Sequence, residues 1–340
     1  MTVGLQTTRR PTSADVAREA GVSRSTVSQI LNGDDERFPL ATRERVRSAA
    51  EALNYRPSRA GRALVTGLSD IVVVVVPNAT FGPHLQDSVD RITNATAASG
   101  MSVVVRFGRP DDESTLISVL DLRPAAVVDM GVFTNAQRER IEAAGTRVVP
   151  RRRLDTPTGD VDPVDILIGR LQVDELLRGG ERQIVYASLD DGRLDPFGPP
   201  RLEGIRRSTA AHGLVEPITI RVPLSESGAV EALLPLLQLS DGPPLGICCY
   251  NDDVAIAVIA AARRLRLDVP NRISLIGVDR TDIGQLISPR LTTVAVDQPA
   301  LMDSLSRELV RNHSRGDEDA PGDAVLDASH LVRVVAGETS

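Results

Sequence analysis

The segment "TSADVAREAGVSRSTVSQILNG", residues 12–33, decides the fold of the amino-terminal part of the chain, because it carries the start and stop signals of two short helices. Thr12 is a good helix N-cap, and Asp15, three residues later, completes a pattern in which each side chain satisfies a free backbone amide. Gly21 ends the first helix where a left-handed residue is wanted, and Ser23 caps the second. The spacing therefore predicts two helices joined by a tight turn.

The second of these helices combines an apolar face with a hydrogen-bonding face. Its apolar side chains are Val27, Ile30 and Leu31. Its opposite face carries polar side chains that packing does not require, namely Arg24, Ser25, Ser28 and Gln29. Arginine can bridge two acceptors on guanine and glutamine can bridge adenine, so this composition suits a helix that lies in the major groove of DNA. A helical hairpin with a solvated polar face is the alternative.

A third amphipathic helix follows a short loop. The segment "TRERVRSAAEALNYRP", residues 42–57, places Val46, Ala49, Ala50 and Leu53 on one face before its proline stops the helix. The three helices together span about 45 residues, which is the size of a helix-turn-helix DNA-binding domain.

Residues 12–77 resemble the head and hinge of the LacI/GalR family of bacterial transcriptional regulators. The resemblance rests on four stretches that follow the family's order, "DVAREAGVSRSTVSQILNG" at 15–33, "TRERV" at 42–46, "LNYRPSRAGRAL" at 53–64 and "IVVVVVP" at 71–77. It implies that Arg24, Ser25 and Gln29 contact base edges of double-stranded operator DNA. It also implies a set of phosphate contacts, which comprises Ser23, Thr26, Ser28 and Asn32.

The same resemblance gives residues 57–66 a role as a hinge that folds into a short helix on operator DNA. Paired hinge helices in a dimer would insert Leu64 into the minor groove, where an apolar wedge kinks the duplex, with Arg59 at the same contact. Without the flanking "RPSRAGRA", Leu64 would be interpreted as an ordinary linker leucine.

From Ile71 onward, short apolar and β-branched runs alternate with helical patterns. The predicted strands are 71–76, 103–107, 126–130, 146–149, 183–187, 218–222, 246–250 and 273–278, with a last candidate near 330–335. The predicted helices cover about 85–99, 135–144, 164–178, 201–212, 227–239 and 252–266. Such alternation is typical of parallel sheets covered on both faces, and the total is enough for two lobes. Crossovers between the lobes are predicted at about 153–161 and 287–293.

Residues 250–299 resemble the carboxy-terminal part of the periplasmic-binding-protein-like sensor of the same family. The expected fold class is therefore α/β, with a small all-α helix-turn-helix domain followed by a two-lobed type I periplasmic-binding-protein-like domain with parallel sheets. The expected boundaries are a head at 1–56, a hinge at 57–69 and a sensor at 70–340. Within the sensor, the first lobe is expected at about 70–157 and 291–325, and the second at about 158–290 and 326–340.

A fold of this kind binds small molecules in the crevice at the carboxyl ends of its strands. The resemblance places Arg201, Asn251 and Asp279 there, where together they could clamp the hydroxyls of a sugar-like effector. Two of them have a structural alternative, because Asn251 can cap its helix and Asp279 can terminate its strand. Arg280, beside Asp279, either favours an anionic effector or forms a surface ion pair.

Composition is that of a multi-domain globular protein whose charge is distributed unevenly. The 39 Lys and Arg stand against 46 Asp and Glu, a net charge of -7. Residues 1–66 hold 11 Arg against 7 acidic residues, or +4, which leaves -11 for the remainder. A basic head on an acidic body is expected when only one end meets phosphate. The absence of an export signal and of a long apolar run predicts a cytoplasmic protein without a membrane span.

The sequence thus favours a homodimeric, effector-modulated DNA-binding regulator that is more often a repressor than an activator. A cytoplasmic small-molecule receptor without a DNA role is the alternative, and the intact head argues against it. No phosphate loop, metal-spaced cluster or nucleophile elbow points to an enzyme, and no cofactor or metal is predicted. Cys248 and Cys249 are sequence neighbours in an apolar stretch and are expected in the core.

Overall fold

The computed structural model describes residues 11–31, 35–55, 69–78, 84–97, 99–109, 112–151, 163–193, 195–237, 243–311 and 328–340. The chain divides into two compact units, Met1–Asp70 and Ile71–Ser340. Each unit has its own buried apolar core, so each is described by itself.

The first unit contains three helices, α1 (Ser13–Ala20), α2 (Arg24–Leu31) and α3 (Leu40–Ala52). Val16, Val27 and Val46, one from each helix, are fully buried against one another. Of the residues predicted to face inward on α3, Ala49 and Ala50 are buried, whereas Leu53 is half-buried just after the helix ends. The helix begins two residues earlier than its sequence pattern indicated.

The second unit begins with a lobe built on a four-stranded parallel sheet in the order β2-β1-β3-β4. Its strands are β1 (Ile71–Pro77), β2 (Ser102–Gly108), β3 (Ala126–Asp129) and β4 (Arg147–Val149). Its helices are α4 (His84–Ala97), α5 (Glu113–Asp121) and α6 (Asn135–Ala143). Valines on both faces of β1 are buried, as a central strand covered on both sides requires.

The second lobe is built on a six-stranded sheet in the order β10-β9-β8-β7-β5-β6. All its strand pairs are parallel except β10 with β9, which is antiparallel. The strands are β5 (Gln183–Leu189), β6 (Ile218–Val222), β7 (Leu245–Cys249), β8 (Ile273–Val278), β9 (Thr293–Val296) and β10 (Val332–Val335). The helices of this lobe are α7 (Val164–Leu177), α8 (Gly198–Ala211), α9 (Glu226–Leu237), α10 (Asp252–Arg264), α11 (Asp282–Leu286) and α13 (Ala328–Leu331). Helix α12 (Gln298–Arg311) follows β9 and packs on the first lobe.

The return to the first lobe lies later in the chain than predicted. Strand β9 pairs with β8 at Gly277–Thr293, so residues 293–296 belong to the second sheet and not to the first lobe. The following helix, α12, buries Met302 and Leu305 in the core beneath β1. The crossover therefore falls between Val296 and α12, after the predicted segment 287–293, because the four-residue strand β9 is added to the second sheet first. The predicted first crossover, at about 153–161, lies outside the described residues.

The expected α/β class with two parallel-sheet lobes is confirmed. Among the described residues, the sequence pattern missed four helices, α5, α11, α12 and α13, and the two longer ones, α5 and α12, each have a recognisable start. Asp112 accepts the Ser114 amide at 2.9 Å before α5, and Asp297 accepts the Ala300 amide at 2.9 Å at the start of α12. These caps were the local signals that could have located both helices.

Candidate nucleic-acid interface and ligand cleft

The turn between α1 and α2 has the geometry that its capping residues predicted. The Asp15 carboxylate accepts the backbone amide of Thr12 at 2.9 Å and its hydroxyl at 2.7 Å. Gly21 adopts the left-handed conformation with φ of 65°. The Thr26 amide donates to the Ser23 hydroxyl at 3.1 Å, which caps α2. The Thr12–Asp15 bonds fix the start of α1, and the left-handed Gly21 with the Ser23 cap sets the path of the chain into α2.

Helix α2 presents its polar face outward. Val27 and Ile30 are buried, and Arg24, Ser25 and Ser28 are exposed. Gln29 and Thr26 are half-buried, beside this exposed face. The hydroxyl of Ser23 also lies 2.7 Å from that of Ser25 and 2.8 Å from that of Thr26, so three hydroxyls cluster at the amino terminus of α2. Three other predicted DNA contacts, Asn32, Arg59 and Leu64, lie outside the described residues.

Arg201 is buried at the start of α8, and its guanidinium donates hydrogen bonds to other groups of the protein. Its Nε donates to Asp165 Oδ1 at 2.8 Å, and its Nη1 donates to the Tyr250 carbonyl at 2.5 Å. The rings of Phe197 and Tyr250 flank the guanidinium, with centroids 5.6 and 5.1 Å from Cζ. Burial by itself lowers the pKa of Arg201, but the carboxylates of Asp165 and Asp279 outweigh it and hold the pKa above its usual value.

Asn251 acts as a helix cap. Its side-chain oxygen accepts the Val254 amide at 3.0 Å, at the amino terminus of α10, and the residue is 3% exposed. The structural alternative for this residue is therefore observed for its oxygen atom.

Asp279 is held in an unusual backbone conformation at the end of β8. Asp279 and Arg280 both have positive φ, 101° and 51°, although neither is glycine. The Asp279 amide donates to the Val294 carbonyl at 3.0 Å, and the Arg280 amide donates to the Thr293 hydroxyl at 3.2 Å. Strained backbone of this kind clusters at functional sites, because the surrounding structure must overcome its cost.

Asp279 and Arg280 line a cavity of about 690 Å³ between the ends of β8 and β9 and the exposed side of α4. The lining includes the carboxylates of Asp87 and Asp297 and the guanidinium of Arg333. Arg201 and Asn251 are not among its lining residues. The structure thus brings Asp279 to this cavity and leaves the other two predicted effector residues engaged in internal bonds.

Asp252 is a fully buried carboxylate next to this region. Its Oδ2 accepts the Thr281 amide at 2.6 Å and the Thr281 hydroxyl at 3.1 Å, and its Oδ1 accepts the Thr293 hydroxyl at 2.6 Å. Burial raises the pKa of Asp252 to about 6, although these hydrogen bonds lower it. The carboxylate joins the start of α10 to the segment after β8 and to the start of β9, and so positions the backbone that carries Asp279.

The comparisons with known proteins match both parts of this description. Residues 12–58 match the family model described as bacterial regulatory proteins, lacI family. Residues 173–338 match the periplasmic binding protein-like domain. The chain belongs to the LacI family.

Relatives and solved structures extend this match over nearly the whole chain. The HTH-type transcriptional regulator GntR of Pseudomonas aeruginosa is 28% identical over 90% of this chain and 90% of its own. The HTH-type transcriptional repressor CytR of Escherichia coli K12 is 28% identical over 95% of each chain. The lac repressor dimer bound to operator and an anti-inducer has the same fold, with a TM-score of 0.73, 21% identity and coverage of 97% of this chain and 99% of its own. By their names, GntR and CytR are regulators of transcription.

Among the described residues of this LacI-family chain, none of the helices has the length and apolar character that crossing a membrane requires.

Sequence reasoning missed two acidic residues that organise the second lobe of this LacI-family protein. Asp165 lies 36 residues before Arg201, and Asp252 lies 41 residues before Thr293. A weak signal existed for Asp252, which directly follows the predicted Asn251. No local pattern marked Asp165, because its partner is supplied by a different helix.

Proposed function

We propose that this LacI-family protein is a homodimeric transcriptional repressor of the cytoplasm that binds a pseudo-palindromic operator and responds to a small-molecule effector in the cleft between its lobes. The observation that carries the proposal is the exposed polar face of α2, which is held by the capped turn from Thr12 to Ser23. Gene control, and not catalysis, is the role that its regulatory relatives support.

The face of α2 suits base reading because its side chains fall into two rows. Arg24 and Ser28 are four residues apart, as are Ser25 and Gln29, so each pair lies on one side of the helix. Arg24 stands at the first position of α2, where recognition helices contact base edges, and an arginine there can bind guanine O6 and N7 together. The cluster of hydroxyls at the same helix end suits a phosphate, since free amides and the helix dipole favour an anion there.

Dimerisation is supported by apolar side chains that the second unit leaves exposed. On β2, the edge strand of the first sheet, Phe107 is 53% exposed and Val105 is 37% exposed. On α11, Leu286 is 83% exposed and Ile283 is 65% exposed. We propose that a second copy covers these surfaces, because a two-fold dimer uses the same patch on both subunits and matches a two-fold operator.

For the effector, the proposal gives Asp279 the leading role. It combines a strained backbone with a place in the wall of the 690 Å³ cavity. Arg201 and Asn251 are proposed to shape the site, Arg201 through its buried ion pair and Asn251 through its helix cap.

The DNA-reading proposal is tested by selecting genomic fragments with the purified full-length protein and measuring affinity for the selected site. Arg24→Ala is expected to weaken that site about 5- to 150-fold, as the loss of one bidentate base contact of about 1–3 kcal/mol requires, and to relax the preference at one base pair. The matched control is Arg45→Ala, which removes the same charge from an exposed position on α3. Equal losses in the two variants, or no enriched palindrome, would refute base reading by α2.

A further inference from the structure

Two arginines of the 690 Å³ cavity reach it from the strands on either side of β9. Arg280 follows β8, and Val278, two residues before it, pairs with Val294 of β9. Arg333 lies on β10 and pairs with Ala295 of β9. Because β9 separates β8 from β10, the two backbones are about 10 Å apart. Two arginine side chains can span this distance from opposite sides and meet at one group of a ligand.

Within the part of the chain that the structure describes, these two guanidiniums have no hydrogen bond and no ion pair. Both residues are exposed, so water can solvate them. Arg91, a third arginine of the same cavity, differs from them, because its Nη1 lies 3.1 Å from Asp303 Oδ1. The surface ion pair that the sequence allowed for Arg280 is therefore not observed among the described residues.

The backbone that carries Arg280 is held firmly in place. Its amide donates to the Thr293 hydroxyl at 3.2 Å, and that hydroxyl donates to the buried Asp252 carboxylate at 2.6 Å. The amide of Thr281, the next residue, also donates to Asp252 at 2.6 Å. These bonds offset the cost of the positive φ of Arg280, 51°. The guanidinium thus extends from a fixed point, which lowers the cost of ordering it on a ligand.

Most carboxylates of the cavity have structural roles that the two arginines lack. Asp297 accepts an amide of α12 at 2.9 Å, and Asp87 lies in the first turn of α4, where the helix dipole favours a negative charge. Asp279 acts on the buried Arg201 guanidinium. Asp90 lies further along α4 and is exposed. Carboxylates can still accept hydrogen bonds from hydroxyl groups, so a ligand with both an acid and hydroxyls matches both signs of the lining.

A ligand that fills the cavity displaces water from the Arg280 and Arg333 guanidiniums. A charge that loses water without gaining a partner is costly. An uncharged ligand would leave two cations in that condition, and a cationic ligand would add repulsion. A carboxylate or phosphate can accept charge-assisted hydrogen bonds from both arginines, in the planar geometry that a guanidinium favours.

We propose that Arg280 and Arg333 form an anion subsite, and that the effector is a small acid whose carboxylate or phosphate binds these arginines while its hydroxyl groups donate to Asp279 and the other carboxylates of the cavity. This inference rests on the proposed effector site in the second unit and assigns the ligand class of that site. It does not involve Arg201, which is not among the lining residues of the cavity.

The test measures ligand binding to the full-length protein by calorimetry at low salt. The probes are related sugars of different charge, namely neutral glucose, cationic glucosamine, gluconate with a carboxylate and glucose 6-phosphate with a phosphate, and inorganic phosphate is added as an anion without hydroxyl groups on carbon. One of the two sugar acids is expected to bind at least about tenfold more tightly than glucose and glucosamine. Which acid binds distinguishes a carboxylate ligand from a phosphate ligand.

Arg280→Gln and Arg333→Gln each remove one charge and keep a polar side chain. Each is expected to weaken the bound acid at least about tenfold and to change glucose binding by less than about threefold. The matched control is Arg91→Gln, which removes the same charge from the same cavity, but from a guanidinium that already has Asp303 as its partner. It is expected to weaken the acid by less than about threefold. Circular dichroism checks that each variant is folded.

Tighter binding of glucose or glucosamine than of both acids would overturn the proposal, as would the absence of binding by both acids at millimolar concentration. Equal losses in the variants of Arg91, Arg280 and Arg333 would refute a specific subsite, because the general field of the cavity would then explain them. Binding of inorganic phosphate alone would also overturn the proposal, since the carboxylates of the lining would take no part.

The wild type supplies a second measurement if a variant does not fold. Added salt should weaken the acid and leave glucose unchanged, and equal salt dependence of the two would refute the anion subsite. The proposed regulator role is scored separately, through operator affinity without ligand. An acid that binds through both arginines and leaves operator affinity unchanged would support the subsite and refute its role as an effector site.

Discussion

The crossing of α7 and α8 should not tolerate a single methyl group at Gly204. In Gly204→Ala the new Cβ would lie 2.0 Å from the Ile166 carbonyl oxygen and 2.9 Å from its carbon. Carbon and oxygen atoms rarely approach closer than about 3 Å in packed proteins, so the helices must separate by about 1 Å. The Ile166 carbonyl is backbone and an alanine Cβ has no alternative rotamer, so no side-chain rotation can relieve the clash.

The expected cost follows from three contributions. Overpacking of a dense core costs about 1–3 kcal/mol, and a backbone clash belongs at the upper end. Separation also stretches the 2.8 Å bond between Arg201 and Asp165, a buried charge-assisted bond worth about 1.5–3 kcal/mol when intact. Against these, alanine favours a helix by about 1 kcal/mol over glycine. The net prediction for Gly204→Ala is a loss of about 3 kcal/mol in the free energy of unfolding of the second unit.

Urea unfolding followed by tyrosine fluorescence reports this loss directly. The chain has no tryptophan and three tyrosines, and two of them, Tyr186 and Tyr250, are buried in the second unit, where the Tyr250 ring lies 5.1 Å from Arg201 Cζ. The control is Glu203→Ala, one residue away on the exposed side of α8, where only the Arg207 ion pair is lost and a change within about 0.5 kcal/mol is expected. If Gly204→Ala is as stable as this control, the helices are not in backbone contact and the account of the Arg201 site fails.

Three further predictions concern other parts of the second unit. In the folded protein the pKa of Asp252 is raised from an ordinary 3.8 to about 6, so its contribution to stability is fully present below pH 3.8 and is lost as the pH rises through about 6. The difference in unfolding free energy, wild type minus Asp252→Asn, should therefore fall by about 3 kcal/mol across this window. Parallel pH curves for the two proteins would contradict the assignment. Arg138→Met should lower the free energy of unfolding of the first lobe, measured in urea, by about 3–5 kcal/mol, because it leaves the Asp129 carboxylate, 2.6 Å away and 1% exposed, without its cation. The double variant Arg138→Met with Asp129→Asn should recover part of the loss. Phe107→Asp should shift the sedimentation of the protein towards that of a monomer. The control Val215→Asp changes an apolar residue that is 68% exposed outside β2 and α11, and it should leave the dimer intact. A dimer unaffected by Phe107→Asp would exclude β2 from the interface.

The head could be derived almost completely from sequence because its signals are local. The Thr12–Asp15 cap, the left-handed Gly21 and the Ser23 cap each involve residues within four positions of one another. The exposed face of α2 followed from helical periodicity, since the residues that must be buried leave the others facing solvent. The strands of the second unit were located for a similar reason, because buried parallel strands are continuous apolar runs.

Strand β9 was missed because only long-range pairing defines it. Its four residues are β-branched in composition but too few to distinguish a strand from a loop, and its partner β10 is distant along the chain. The lobe boundary was therefore placed too early.

The sequence by itself determined that this chain has a DNA-reading head, a two-lobed α/β body and a family resemblance that nominates Arg201, Asn251 and Asp279 for the effector site. Only the tertiary structure decided what those three residues do. It bonds Arg201 to Asp165, uses the Asn251 oxygen as a cap, and brings Asp279 to a cavity. The physical reason is that a buried polar group must find a partner, and the partner is chosen by which helices pack together and not by which residues are neighbours in sequence.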